Sequence, residues 1–115
     1  MSMALHHQII TDARALIAAE HRWIQIARAI TRGRDRIEAH HPRAKRFCAV
    51  GALECAAFNL TGDVARAQLL ARAACECLCP AAMDAVFELE HINDRHGHAA
   101  VHSVFDDYLG SESSL

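Results

Sequence analysis

The chain has no run of ~18 consecutive apolar residues, the length a membrane-spanning helix requires. It also lacks a secretory leader pattern, since its first residues include His6, His7 and Gln8. The expectation is a cytoplasmic protein. Aromatic residues are only 5% of a composition that is 52% hydrophobic and rich in alanine, so the core is thin and its elements lie close together, which favours helix on helix. There is no glycine-rich phosphate loop, heptad run or internal repeat, and no HExxH or Cys/His finger spacing. No cofactor is expected.

At 115 residues the chain is the size of one ordinary domain that needs neither metal nor disulfide to hold its core. The five cysteines form an odd set lying in or at the ends of helix-like text, and without an export signal they read as reduced thiols acting as small apolar residues. The formal net charge of -2 conceals a segregation. Between Arg22 and Arg46 eight cationic side chains stand against Asp35 and Glu38, whereas from Glu76 onward eight carboxylates stand against Arg95 alone. Nine histidines make the surface potential sensitive to pH near 6.

Apolar residues at helical spacing predict a first helix from Ala4 to about Ala19, with Leu5, Ile9, Ala13, Leu16 and Ile17 on one stripe. The segment from Trp23 to Glu38 admits two readings. Its Ala and Arg content suits a continuing helix; the Trp23/Gln25 alternation and Gly33 suit an extended segment that turns and returns. Pro42 disfavours helix before it and permits one after, giving a helix from about Arg43 to Asn59. Gly51 costs that helix ~1 kcal/mol relative to alanine, and the usual gain is close approach of another helix or backbone. Thr61-Gly62-Asp63 breaks and recaps the chain before a helix at Val64–Leu78. Pro80 precedes another from Ala81 to about His91. Asn93-Asp94-Arg95-His96-Gly97 reads as a polar loop, and His98 to Leu109 as the last helix, with Val101, Val104, Phe105 and Tyr108 inward. The expected fold is all-α or mainly α, a small irregular bundle of four to five helices, with a short β-hairpin around residues 23–38 as the open alternative there. One domain spans residues 1–110, and residues 111–115 form a frayed tail.

Arg22-Trp23-Ile24-Gln25, the stretch Ala44 through Arg46-Phe47-Cys48-Ala49-Val50-Gly51-Ala52-Leu53, Asn93-Asp94 with Gly97-His98, and Val101 with Phe105-Asp106 together resemble an uncharacterised family of short bacterial and phage proteins. The resemblance covers about Arg22 to Tyr108. It implies no activity; it does imply that residues 23–37 are extended, with a turn near Gly33. Ile26-Ala27-Arg28-Ala29-Ile30 departs from this by being more helix-friendly than a hairpin requires.

Five constellations could carry chemistry. Asn93, Asp94, His96 and His98 form a candidate polar site in which a carboxylate beside histidines suits acid/base work; set against it, Asx side chains commonly bond nearby backbone to end one helix and start the next. His98 and His102 at i, i+4, with Asp94 nearby, have a spacing that can serve a metal, though close pairs arise readily among nine histidines. Cys48, after Lys45 and Arg46, could be an activated nucleophile paired with His96 or His98, but its apolar neighbours favour a buried structural thiol. Cys75, Cys77 and Cys79 alternate sides of a helix and make a poor metal set. Finally, Arg32, Arg34, Arg36, Arg43 and Arg46 could hold an acidic partner or phosphate backbones.

With every strong catalytic motif missing, the leading expectation is a non-enzymatic protein-interaction module, with an accessory or inhibitor role conceivable, whose partner is another protein or a second copy. The alternatives are a metal-assisted enzyme on the His/Asp cluster of residues 91–102, and nucleic-acid binding through the basic segment 22–46. If the Arg46–Ala57 stretch is the packing centre, Asn93-Asp94 and the Val101/Phe105 face lie close to Cys48 and Ala52.

Overall fold

In the computed structural model, which describes residues 2–113 and the side chains of residues 4–110, the apolar spacings become five helices. α1 is Ser2–Leu16, and it buries Ile9, Ile10, Ala13 and, just past its end, Ile17. A single 3-10 turn, Glu20–Arg22, leads into an extended segment. α2 (Ala49–Thr61), α3 (Val64–Leu78), α4 (Ala85–Arg95) and α5 (His98–Ser113) follow. Asp63 and Asp84 cap α3 and α4 by accepting from the Arg66 and Phe87 amides. Among the described residues no helix is long and apolar enough to cross a membrane.

The segment between α1 and α2 is extended, as the resemblance implied. Strand β1 (Ala29–Ile30) pairs antiparallel with β2 (Arg46–Phe47), in the register Ala29↔Phe47 and Ile30↔Arg46. A tight return inside it brings Arg36 opposite Ile30, with Arg34 N bonded to Thr31 O and Thr31 N to Asp35 O. This is the turn around Gly33. The fold is thus a mainly α bundle with a short antiparallel hairpin.

Several boundaries differ from the sequence reading; the first helix, for one, ends at Leu16 and not near Ala19. The second helix begins at Ala49 rather than Arg43, because residues 45–48 spend their backbone on the extended segment: Lys45 N donates to Ile30 O, and Cys48 N to Arg28 O. Asn93, Asp94 and Arg95 are not a loop but the last turn of α4. The side chains of Asn93 and Asp94 find partners on other elements and so do not compete with the helix backbone. α4 starts at Ala85, where Asp84 supplies the cap, not at Ala81. α5 continues through Gly110 to Ser113, and the side chains of the expected tail, residues 111–115, lie outside the described residues.

α2 is the packing centre. It lies against α1, α3 and α4, and buries Ala49, Val50, Gly51, Ala52, Leu53, Ala56 and Ala57. Val101 and Phe105 of α5 are fully buried in the same cluster as Cys48 and Ala52. The alanines permit the close spacing, and Gly51 requires it. A Cβ built on Gly51 would stand 1.8 Å from the Arg28 carbonyl oxygen, which is main chain and has no rotamer to escape into. At the other end of α2, Gly62 takes a left-handed φ of 68° and closes the helix with its amide on Phe58 O.

Gly51→Ala therefore tests the packing centre. Added volume against backbone moves the β1 side of the domain off α2, and the expected loss is about 3 kcal/mol or more, read as a lowered urea midpoint. An unchanged midpoint would sink the account.

Candidate functional site

Asn93 sits on the last turn of α4 and is fully buried. A buried amide is tolerated only if its two acceptor and two donor positions are used. Here all four are. Oδ1 accepts from Trp23 Nε1 at 2.6 Å and from the Ala49 amide at 2.9 Å, one of the donors that the first turn of α2 cannot satisfy within the helix. Nδ2 donates to Ile24 O at 3.1 Å and to Asp94 Oδ1 at 3.0 Å. Asp94 Oδ1 in turn accepts from the Ile26 amide at 2.8 Å. Ile26 has a φ of 71°, rare and strained for a β-branched residue. Gln25 Nε2 donates to the Asp94 carbonyl at 3.0 Å and reaches the Asn93 carbonyl at 3.4 Å, so it closes the C-terminal end of α4. The Asn93-Asp94 pair is a joint: it ties residues 23–26, the start of α2 and the end of α4 together.

Beside the joint runs a groove of about 380 Å³, bordered by Ile26, Arg28, Arg36, Cys48, Glu90 and Asp94 among others. Arg28 spans it. Its Nη1 donates to Glu54 at 3.0 Å, and its Nη2 and Nε donate to Glu90 at 2.6 and 3.1 Å. Burial pushes the Glu54 carboxyl above the usual range, against the pull of Arg28. Cys48 is a buried cap whose sulfur accepts from the Gly51 amide at 3.2 Å. Burial drives its thiol up to about 11, and that of Cys75 up to about 12, so both are protonated at neutral pH. Neither is an activated nucleophile. None of the five cysteines is in a disulfide.

The candidate residues do not assemble as one site. His96 is exposed past the end of α4, its ring 5.5 Å from that of His91. His98 and His102 point instead at the end of α1, where both Nε2 atoms contact the Ile17 carbonyl. Asp94 faces Ile26. Among the described residues no three His, Cys, Asp or Glu side chains converge as metal ligands. Arg32, Arg34, Arg36 and Arg43 stand exposed in the segment before α2 and Arg46 is half-buried in β2; none is ion-paired within the described residues.

The Arg28–Glu54–Glu90 cluster escaped sequence reading. Its signal was present: Glu54 is the only charged residue between Ala49 and Leu60, and a lone charge in a buried helix needs a counter-charge from elsewhere. The Ile17 carbonyl has no such signal, since main chain is the same at every position.

Asn93→Ala leaves Trp23 Nε1, the Ala49 amide and the Ile24 carbonyl unpaired, for an expected loss of about 3–5 kcal/mol in urea unfolding. Asn93→Asp keeps Oδ1 but turns a carboxylate toward Ile24 O and Asp94. The folded state then raises that carboxyl's pKa, so the variant is closest to wild type in acid and loses stability as pH rises through its titration. A pH-independent deficit would contradict this. For the thiols, alkylation of native protein at pH 8 followed by mass spectrometry should find modification confined to Cys55, Cys77 and Cys79, with Cys48 and Cys75 reacting only on unfolding.

A family model described as a family of unknown function (DUF6197) matches residues 1–108. No curated protein and no solved structure matches the chain.

Proposed function

The chain belongs to that family of unknown function, and because membership brings no activity with it, we propose from the side chains themselves a non-enzymatic, cytoplasmic protein-interaction module. The observation that carries the reading is where the large apolar side chains lie. Phe87 on α4 is 66% exposed, Met83 just before α4 is fully exposed, and Ile26 is 70% exposed. In a chain with so few aromatics, a phenylalanine left in water is informative where scattered aliphatics would not be.

Met83 and Phe87 line a groove of about 400 Å³ together with Arg72, Glu76, Val86 and Glu90. Glu90 also borders the neighbouring groove that ends at Ile26. The face is thus an apolar strip with a mostly acidic border, and it suits a partner segment that presents an apolar anchor flanked by cations. The polar groups that could have served catalysis weigh on the same side: Asn93, Arg28 and one oxygen of Asp94 are engaged in holding loops and helix ends. The unpaired basic residues between Arg32 and Arg46 give the molecule a second face of opposite charge, toward an acidic partner or another copy.

The test is a Met83→Ser/Phe87→Ser double variant. Because both side chains are solvated, thermal stability should move by no more than about 0.5 kcal/mol. Affinity for a partner that cross-links to residues 83–87 should fall about tenfold or more. Cross-links that map elsewhere, undiminished binding, or turnover abolished by Asp94→Ala in a folded protein would overturn the proposal.

A further inference from the structure

The end of α1 and the first turns of α5 meet at three atoms whose contacts hydrogen bonds alone do not satisfy. Nε2 of His98 and Nε2 of His102 stand 2.7 and 2.9 Å from the Ile17 carbonyl oxygen, and 3.0 Å from each other. Ile17 N still bonds back to Ala13 O, so its carbonyl belongs to the helix end, where acceptors have no partner along the helix. A neutral imidazole nitrogen carries either a proton or a lone pair. If both Nε2 atoms are protonated, both N–H groups aim at one oxygen and no hydrogen joins the two nitrogens. If only one is protonated, the lone pair of the other faces the lone pairs of the carbonyl. Either way one contact of the triangle is repulsive.

A cation resolves all three. Metal–imidazole bonds of ~2.0–2.1 Å place adjacent donors of an octahedral shell about 2.9 Å apart, close to each edge of this triangle. We propose that His98, His102 and the Ile17 carbonyl bind one divalent transition-metal ion of the kind that prefers imidazole, such as Ni²⁺, Cu²⁺ or Zn²⁺. The i, i+4 spacing on α5 sets both rings on one face. The indole of Trp23, with its centroid 5.5 Å from that of His98, packs beside the pair. The Arg14–Asp106 ion pair joins the same two helices one turn further along α5, so the donors are held by the fold and not gathered by the ion. Both histidines are half-buried, which leaves the remaining coordination positions to water. The bound ion ties the first helix to the last. This site is separate from the docking face and stands or falls independently of it.

Trp23 is the only tryptophan and so a local reporter. Chelator-stripped protein is titrated with Ni²⁺ and Cu²⁺, followed by Trp23 fluorescence and calorimetry; Zn²⁺ is avoided because free thiols compete for it. The expected result is one ion per chain, quenching of Trp23 at the same midpoint, and a raised thermal transition. His98→Ala and His102→Ala should weaken binding about tenfold or more and abolish the quenching, whereas His91→Ala/His96→Ala should leave both unchanged. If an alanine variant does not fold, His102→Gln, which keeps a donor for the Ile17 carbonyl, takes its place. No stoichiometric uptake, uptake without quenching, or binding that survives loss of His98 or His102 would overturn the site.

Discussion

The saturated amide of Asn93 is the constraint that the rest of the structure leans on. One carboxamide satisfies the indole of Trp23, a carbonyl of the extended segment, and an orphan amide at the start of α2. Remove it and each of those groups loses its partner, the Ala49 amide in the buried interior and the other two at half-buried residues. With it in place, residues 23–28 are laid against α2, the Arg28 carbonyl comes within contact of Gly51, and the short β pairing follows from that placement. The hairpin is therefore a consequence of tertiary anchoring. Two strands of two residues each have no stability of their own.

The parts of the fold that were legible in the sequence are those written in local chemistry. Residues 64–78 became a helix with those ends because Asp63 is a cap and Pro80 a stop. Gly51 announced a close approach, and the backbone it admits is Arg28. What misled was polarity taken as a sign of a loop. Asn93-Asp94-Arg95 has the composition of a turn, but the partners of Asn93 and Asp94 on other elements lie 44 to 70 positions away in the chain, and no local pattern encodes them. The same holds at residues 43–48, where a plausible helix start gives way to pairing with β1. The candidate site was legible in part: Asn93 and Asp94 do work as a unit, but toward the fold, while His98 and His102 turn to a main-chain oxygen that sequence cannot mark.

The charge segregation acquires a spatial meaning. Arg28 is the one cation of the basic stretch drawn inward, where Glu54 and Glu90 neutralise it. The others are exposed, apart from Arg46, which is half-buried in β2. Glu90 faces Arg28 on one side and lines the Met83/Phe87 groove on the other. A ligand that drew on Glu90 from the outer groove would compete with Arg28 for it, which couples the acidic face to the interior through a single carboxylate.

Ile26 shows what such a fold can do with strain. Its left-handed backbone is held by Asp94, and branching at Cβ restricts its side-chain rotamers. Most surface side chains surrender conformational entropy when a partner covers them. An exposed methionine such as Met83, with its long flexible chain, surrenders a good deal. Ile26, β-branched and with its backbone pinned by Asp94, has less of that freedom to lose, so contact with it costs less further ordering. In a chain with so few aromatics, an aliphatic anchor of this kind would give the proposed docking face part of the rigidity that tyrosine or tryptophan provides on binding surfaces.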